Sequence, residues 1–188
     1  MSEIWLVRHA ETEWSKAGKH TGRTDVPLTD AGRAHAEQLR ARLEDVTFAA
    51  VFVSPLGRAR ETARLAGLGE QAQVRDDLAE YDYGDYEGIT TAEIRERRPG
   101  WFLWRDGVPN GESPDDVGLR ADRILEEAAA AAADGDVALV AHGHVLRVIG
   151  ARWAGEPASF AGRLALDTGA LCRLGTEREV RVIRAWNF

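Results

Sequence analysis

Short apolar segments alternate along the chain with longer segments of helical periodicity. The apolar segments have the length and composition of buried strands, and they cover residues 4–7, 49–53 and 137–141, with weaker examples at 73–75, 171–174 and 180–186. Helical patterns with N-cap or glycine-stop signals cover residues 30–43, 58–66, 114–133 and 144–153. This alternation predicts an α/β fold, which we expect to be a three-layer α/β/α sandwich around a mainly parallel central sheet.

The region at about 89–113 is inserted between an acid-rich segment at 76–87 and the apolar segment at 137–141. Thr90 and Glu93 form a capping box for a short helix. The aromatic residues after that helix belong either to the core or to the wall of a substrate lid, and they are Trp101, Phe102 and Trp104. Because lids are often placed in this way, we expect one domain over residues 1–188 with a small lid-like insertion at 89–113.

Charge and composition narrow the class of protein. The 188 residues include 24 basic and 31 acidic side chains, and the net charge of −7 argues against general nucleic-acid binding. No apolar stretch approaches the roughly 20 residues of a membrane span, and no secretory signal is visible. Cys172 has no second cysteine to pair with, which fits a reducing compartment. We therefore expect a cytoplasmic protein that binds neither nucleic acid nor membranes.

The three strongest apolar segments run into residues that carry chemistry. These residues are Arg8 and His9 after the first segment, Ser54 and Arg58 after the second, and His142, Gly143 and His144 after the third. If the three strands are parallel neighbours, the side chains converge beyond the carboxyl ends of the sheet, where ligands of open α/β sheets bind. Imidazoles beside guanidinium groups favour a phosphate substrate, because a neutral imidazole attacks phosphorus and arginines stabilise the transferred charge. The acid-rich segment 76–87 offers a proton donor for the leaving oxygen.

Other interpretations of these residues are less well supported. His142 and His144 would suit a metal, but no carboxylate stands at ligand spacing. Ser113 lies in a sequence that partly matches a nucleophile elbow, yet the final glycine is missing and a helix N-cap explains it better. No Walker loop or dinucleotide fingerprint occurs. We expect no metal and no cofactor.

The order of the motifs resembles the histidine phosphatase superfamily, also called phosphoglycerate-mutase-like. The resemblance covers the chain from Trp5 to about Arg147. Its motifs are Leu6-Val7-Arg8-His9-Ala10-Glu11-Thr12, Thr21-Gly22, Pro27-Leu28-Thr29, Ser54-Pro55-Leu56, Arg58-Ala59, Glu80, Glu87-Gly88 and Ala141-His142-Gly143-His144.

This resemblance implies a phosphohistidine mechanism and a role for each matching residue. His9 would be the phosphorylated nucleophile, with its second ring nitrogen fixed by a hydrogen bond to the backbone. Glu80 would be the proton donor that later activates water, which implies a mildly acidic pH optimum. The phosphate pocket would be formed by Arg8, Arg58 and His142, and the substrate contacts by Ser15, Thr21, Gly22 and backbone near Gly143.

One residue departs from the family pattern. Ala10 stands where the family usually has glycine, and a positive φ there would cost about 1–2 kcal/mol of strain. We expect activity to survive this change because the alanine side chain is small.

The substrate class is narrowed by length and by loop motifs. Similar mutases are longer, and segments such as Tyr83-Gly84-Asp85-Tyr86 resemble phosphatases that act on sugar phosphates or bisphosphates. We expect a metal-independent phosphomonoesterase of small phosphorylated metabolites. A phosphoglycerate mutase and a non-catalytic phospholigand-binding module are the alternatives. Selectivity for a second phosphate or a sugar hydroxyl would come from His20, Arg23, Arg105 or His144.

Overall fold

A computed structural model describes residues 2–188, and six strands in that range form one sheet. The strands are β1 (Ile4–Arg8), β2 (Phe48–Val53), β3 (Ala72–Val74), β4 (Asp136–Ala141), β5 (Leu171–Glu177) and β6 (Val180–Ala185). Their order in the sheet is β3-β2-β4-β1-β5-β6. Strands β3, β2, β4 and β1 pair in parallel, and β5 and β6 extend the sheet antiparallel at one edge. The predicted mainly parallel sheet is confirmed.

Helices cover both faces of this sheet. They are α1 (Glu13–Lys16), α2 (Asp30–Leu43), α3 (Gly57–Leu65), α4 (Thr91–Arg97), α5 (Leu103–Asp106), α6 (Pro114–Ala131) and α7 (Gly143–Trp153). The predicted N-caps are confirmed, since the Thr29 hydroxyl accepts from the Gly32 amide and the Ser113 hydroxyl from the Asp116 amide. Within residues 2–188, no helix combines the length and the apolar character that crossing a membrane requires.

Successive side chains of β1 point to opposite faces of the sheet, where they pack into two separate hydrophobic cores. Ile4 and Leu6 pack into the core beneath α6 and α7, whereas Trp5 and Val7 pack into the core beneath α2 and α3. Successive side chains of a strand point to opposite faces, so a strand that is apolar throughout needs cover on both sides. The α/β/α layering follows from this requirement.

The segment 89–113 packs its large aromatic side chains inward. Trp101 and Trp104 are 2% and 5% exposed, and the Trp101 indole N–H donates to the Gly107 carbonyl over 2.9 Å. Phe102 is 42% exposed. The core interpretation therefore holds for both tryptophans, and a lid movement of this segment stays a prediction.

Replacing Leu139 by alanine should destabilise the protein strongly. Leu139 is fully buried in β4, in register between Leu6 of β1 and Phe52 of β2. The lost burial and the remaining cavity should lower the free energy of unfolding by about 2–5 kcal/mol in urea titrations. Leu119→Ala is the matched control, because Leu119 is 61% exposed on α6 and should change stability by no more than about 0.5 kcal/mol. Equal losses in both variants would contradict the described core.

Candidate active site

The order of the strands brings three sequence motifs to one edge of the sheet. Strand β4 pairs with β1 on one side and β2 on the other, so the carboxyl ends of all three strands meet. His9, Ser54 and His142 are the residues directly after these strands. The centroids of the His9 and His142 rings lie 5.1 Å apart. The predicted adjacency of the three strands is confirmed.

His9 is held as a neutral imidazole with a defined tautomer. Its Nδ1 lies 2.7 Å from the Ala10 carbonyl oxygen, and because a carbonyl only accepts, Nδ1 must carry the proton. Burial, reinforced by the charges of Arg8 and Arg58, holds the pKa of His9 well below its usual range. The lone pair on Nε2 is therefore free to act as a nucleophile.

Ala10 fits its position without backbone strain. The non-glycine residues with positive φ in the range 2–188 are Asn110, Arg178 and Asn187, so Ala10 is not among them. Its side chain is fully buried, and its amide donates to the Thr62 hydroxyl over 3.1 Å. The condition for a strain penalty at this position is not met.

His142 lies behind His9 with both ring nitrogens occupied. Nδ1 accepts from the Arg58 Nε–H over 3.2 Å, so the proton of the neutral ring is on Nε2, which lies 2.6 Å from the Ser54 hydroxyl oxygen. Burial, followed by the charge of Arg58, holds the pKa of His142 well below its usual range. His142 is thus the opposite tautomer to His9, with no nitrogen free for a metal.

The remaining donors of the Arg58 guanidinium hold the loop at residues 21–25. They contact the carbonyls of Thr21, Gly22 and Thr24 over 2.9–3.0 Å. The Gly22 amide donates to the Glu87 carboxylate. Gly22 and Arg58 therefore connect this loop to His142 rather than lining the pocket.

Arg8 reaches into the pocket through a gap left by a glycine. One terminal nitrogen donates to the Leu166 carbonyl, while Nε is buried and has no hydrogen-bond partner in residues 2–188. A Cβ at Gly143 would lie 3.1 Å from Cζ and Nε of Arg8, so a larger residue there would push the guanidinium away from the start of α7 by a few tenths of an ångström. A buried donor without a partner is rare in proteins, and an anion oxygen would satisfy it.

Glu80 is fixed against the first turn of α7. Its Oε1 accepts from the amides of Tyr81 and Val145, and its Oε2 accepts from the amide of His144, at 2.9–3.0 Å. Each carboxylate oxygen offers two lone pairs, so one on Oε2 is left. Glu80 as a whole residue is 7% exposed and lines the pocket. Oε2 is therefore the atom that can carry and deliver a proton.

These residues surround a pocket of about 200 Å³. It brings together six of the nine predicted site residues, namely Arg8, His9, Ser15, Thr21, Glu80 and Gly143. The other three, Gly22, Arg58 and His142, lie behind its wall. A wider groove of about 790 Å³ lies by α3 and β3, but its lining residues include no imidazole or thiol. We place the site in the smaller pocket because the candidate nucleophile and acid are there.

Several pocket residues carry weak sequence signals. Of the four selectivity candidates, His20 and His144 line the pocket, whereas Arg23 pairs with Asp82 and Arg105 with Asp106. Sequence reasoning missed Lys19, Thr91 and Arg147, and it named Tyr83 only as part of the segment Tyr83-Gly84-Asp85-Tyr86. Arg147 stands three residues after His144 on α7, so helical spacing could have indicated it.

His144 is set into an aromatic wall. Its Nδ1 lies 2.5 Å from the Tyr83 hydroxyl oxygen. The centroid of its ring lies 5.2 Å from the centroid of the Trp104 ring and 6.3 Å from that of the His20 ring. Burial holds the pKa of His144 well below its usual range. Across residues 2–188, no group of three His, Cys, Asp or Glu side chains is arranged to hold a metal ion.

Comparison with known proteins defines the family. The sequence model of the histidine phosphatase superfamily (branch 1) matches residues 4–188. The chain belongs to this superfamily, and it is a phosphomonoester hydrolase.

Individual relatives are similar over most of the chain. An acid phosphatase of Mycobacterium tuberculosis is 44% identical over 181 residues, which cover 95% of this chain and 88% of the relative. A sedoheptulose 1,7-bisphosphatase of Saccharomyces cerevisiae is 36% identical over 182 residues, and the match covers 80% of this chain and 66% of the relative. The solved structure of an open reading frame product of M. tuberculosis has a TM-score of 0.96 at 40% identity, over 100% of this chain and 97% of that chain.

The two buried histidines should show opposite neutral tautomers. Nitrogen-15 NMR should find the proton of His9 on Nδ1 and that of His142 on Nε2, assigned with His9→Gln and His142→Gln. Because burial and the neighbouring arginines lower both pKa values, neither ring should become protonated as the pH falls through the usual histidine range. In urea-unfolded protein both should titrate near pH 6.5 or so. Identical tautomers, or ordinary titration in the folded state, would contradict the described geometry.

Proposed function

We propose that this protein is a metal-independent phosphomonoesterase that hydrolyses small phosphorylated metabolites through a phosphohistidine on His9. The observation that carries the proposal is the His9 imidazole, whose Nδ1–H is bound to the Ala10 carbonyl and whose Nε2 is free in a pocket shared with Arg8 and Glu80. Nucleophile, anion-binding group and proton donor are thus all side chains of one pocket.

The first half of the reaction forms the phosphoenzyme. The Nε2 lone pair of His9 attacks phosphorus as the bond from phosphorus to the leaving oxygen breaks. The Glu80 proton on Oε2 passes to that oxygen, so the alcohol leaves neutral. Arg8 stabilises the charge on the transferred phosphoryl oxygens, and its unpartnered Nε gains an acceptor.

The second half returns the enzyme to its starting state. The Glu80 carboxylate accepts a proton from water, and the water oxygen attacks phosphorus. The bond between phosphorus and Nε2 breaks, inorganic phosphate is released, and Glu80 is again protonated. His9 regains its lone pair, ready for another cycle.

Arg58 and His142 support this chemistry from behind the nucleophile. The positive charge of Arg58 disfavours a second proton on His9 and on His142. Direct contact of Arg58, His142 and Gly22 with the substrate, which the family resemblance implies, stays a prediction.

The pocket and the relatives favour a small substrate. Its volume of about 200 Å³ is below the range of about 300–1,000 Å³ typical of sites for drug-sized ligands. One relative is named a sedoheptulose 1,7-bisphosphatase and another an acid phosphatase. We therefore favour sugar phosphates or bisphosphates as substrates. The paired nucleophile and acid speak against a binding module, and a mutase would transfer phosphate without releasing it.

The direct test is phosphate release by EDTA-treated protein from a panel of phosphomonoesters, with His9→Ala beside it. We expect turnover that survives EDTA and falls by at least about a thousandfold in His9→Ala, because the phosphoenzyme of this mechanism forms on the Nε2 atom of His9. Acid-quenched native enzyme should carry a phosphoryl group that mass spectrometry locates on His9. Activity lost with the chelator, or undiminished in His9→Ala, would overturn the proposal.

Glu80→Gln should divide substrates by their leaving groups. An alkyl phosphate needs its leaving oxygen protonated, so turnover should fall by about 10²–10⁴-fold. p-Nitrophenyl phosphate releases a stable phenolate without a proton, so its phosphorylation step should persist and phosphoenzyme should accumulate. Rapid-quench measurements of the burst check this expectation. Asp82→Asn, on the neighbouring loop but outside the pocket lining, is the control and should affect both substrates equally.

A further inference from the structure

The pocket contains more positive charge than one phosphoryl group uses. Its lining includes the cations Arg8, Lys19 and Arg147 but only one carboxylate, that of Glu80. Both oxygens of Glu80 already accept backbone amides. No carboxylate in residues 2–188 forms an ion pair with Lys19 or Arg147, although eleven ion pairs of other lysine or arginine side chains occur in that range.

Arg147 is held in a fixed position with its end free. Its Nε donates to the Ala161 carbonyl over 2.9 Å, and its guanidinium carbon lies 5.0 Å from the centroid of the Trp104 ring. These contacts occupy the stem and one face, and they leave both terminal nitrogens without a partner in the described range. An arginine fixed in this way presents a planar pair of donors suited to a phosphate or a carboxylate.

Lys19 approaches the pocket from a different element. It follows α1, forms an isolated bridge with Thr90, and has its ammonium 5.6 Å from the centroid of the Trp14 ring. Lys16, the only other lysine, lies three residues away, is exposed and is not part of the lining. Lys19 and Arg147 are thus two free cations contributed to one pocket by separate parts of the chain.

Within the described range, the structural contacts of Lys19 and Arg147 do not include an ion pair. Arg147 and Arg8 have like charges, which repel each other and are costly to bring together in a partly buried site. Burial lowers the pKa of Arg147, and the nearby Tyr83 and Glu80, which raise it, do not offset the effect of burial. An anionic ligand would remove this penalty.

His20 adds a preference for a hydroxyl group. Its Nδ1 lies 2.8 Å from the Ile89 carbonyl oxygen, so the proton is on Nδ1 and Nε2 is a bare acceptor. Burial lowers the pKa of His20, which keeps the ring neutral. A neutral acceptor among cations suits a hydroxyl donor on the same ligand.

We propose that Lys19 and Arg147 form a second anion subsite, so that the preferred substrate is a polyhydroxylated phosphomonoester with a second phosphate or carboxylate group. This inference rests on the proposed function and names the substrate class of the same pocket. The phosphoryl group that is transferred lies at Arg8 and His9, while the second anion lies at Lys19 and Arg147 and a hydroxyl donates to His20.

The test compares substrates that differ in the second anion. Fructose 1,6-bisphosphate is set against fructose 1-phosphate and fructose 6-phosphate, and 6-phosphogluconate against glucose 6-phosphate for a carboxylate. In native enzyme, kcat/KM for one doubly anionic substrate should exceed that of its singly anionic partners by about tenfold or more, since a charged hydrogen bond contributes this much. This preference in kcat/KM for the doubly anionic substrate should become smaller at high salt, because salt screens the attraction between the second anion and the cations.

Variants of the two cations then test the assignment. Arg147→Met and Lys19→Met should each remove most of the excess, and Arg147→Lys should restore part of it. Lys16→Met, the matched control, should leave the ratio of the two kcat/KM values unchanged. Thermal unfolding verifies that each variant is folded, and the two independent cations keep the test decisive if one variant is not.

Two outcomes separate the inference from the proposed function. If p-nitrophenyl phosphate is hydrolysed but the ratio is near one in native enzyme, or is unchanged in both Arg147→Met and Lys19→Met, the second subsite is overturned and the phosphatase remains. If no phosphomonoester is hydrolysed, the proposed function fails and the inference fails with it.

Discussion

Pairing of β4 with both β1 and β2 is the constraint on which the site depends. Parallel strands in register end at the same edge, so three segments far apart in sequence deliver His9, Ser54 and His142 to neighbouring positions. The strands are apolar on both faces, which buries the sheet under helices and leaves its carboxyl edge as the place for polar side chains. Displacing β4 would separate His9 from His142 and would disturb the groups that set the protonation state of His9.

Burial beside fixed cations gives the pocket its chemistry. An imidazole in water is partly protonated near neutral pH, and a protonated imidazole cannot attack phosphorus. Here desolvation and the charges of Arg8 and Arg58 favour the neutral form of His9. The arginines in turn are held by backbone carbonyls, those of the loop at 21–25 for Arg58 and that of Leu166 for Arg8. The backbone therefore supports the electrostatics of the site.

Local sequence signals predicted the elements to within a few residues. Helix α2 begins and ends as its pattern indicates, and the capping boxes at Thr90 and Ser113 form as expected, because caps and periodicity are properties of neighbouring residues. The predicted short strand near 73–75 begins one residue earlier, since its pairing with β2 fixes its register. Family motifs indicated the residue types of the site but not which of them reach the pocket surface.

The sequence by itself determined the α/β class, the positions of the main helices to within a few residues, and a set of candidate histidines, arginines and an acid in the order of a histidine phosphatase. Only the tertiary structure decided that Arg58 and His142 lie behind His9 and that Lys19 and Arg147 share its pocket. The physical reason is the difference between interactions that are local in sequence and contacts between distant segments. Periodicity and capping depend on residues within a helical turn of each other, whereas burial, tautomers and unpaired charges depend on groups that meet only when distant segments pack together.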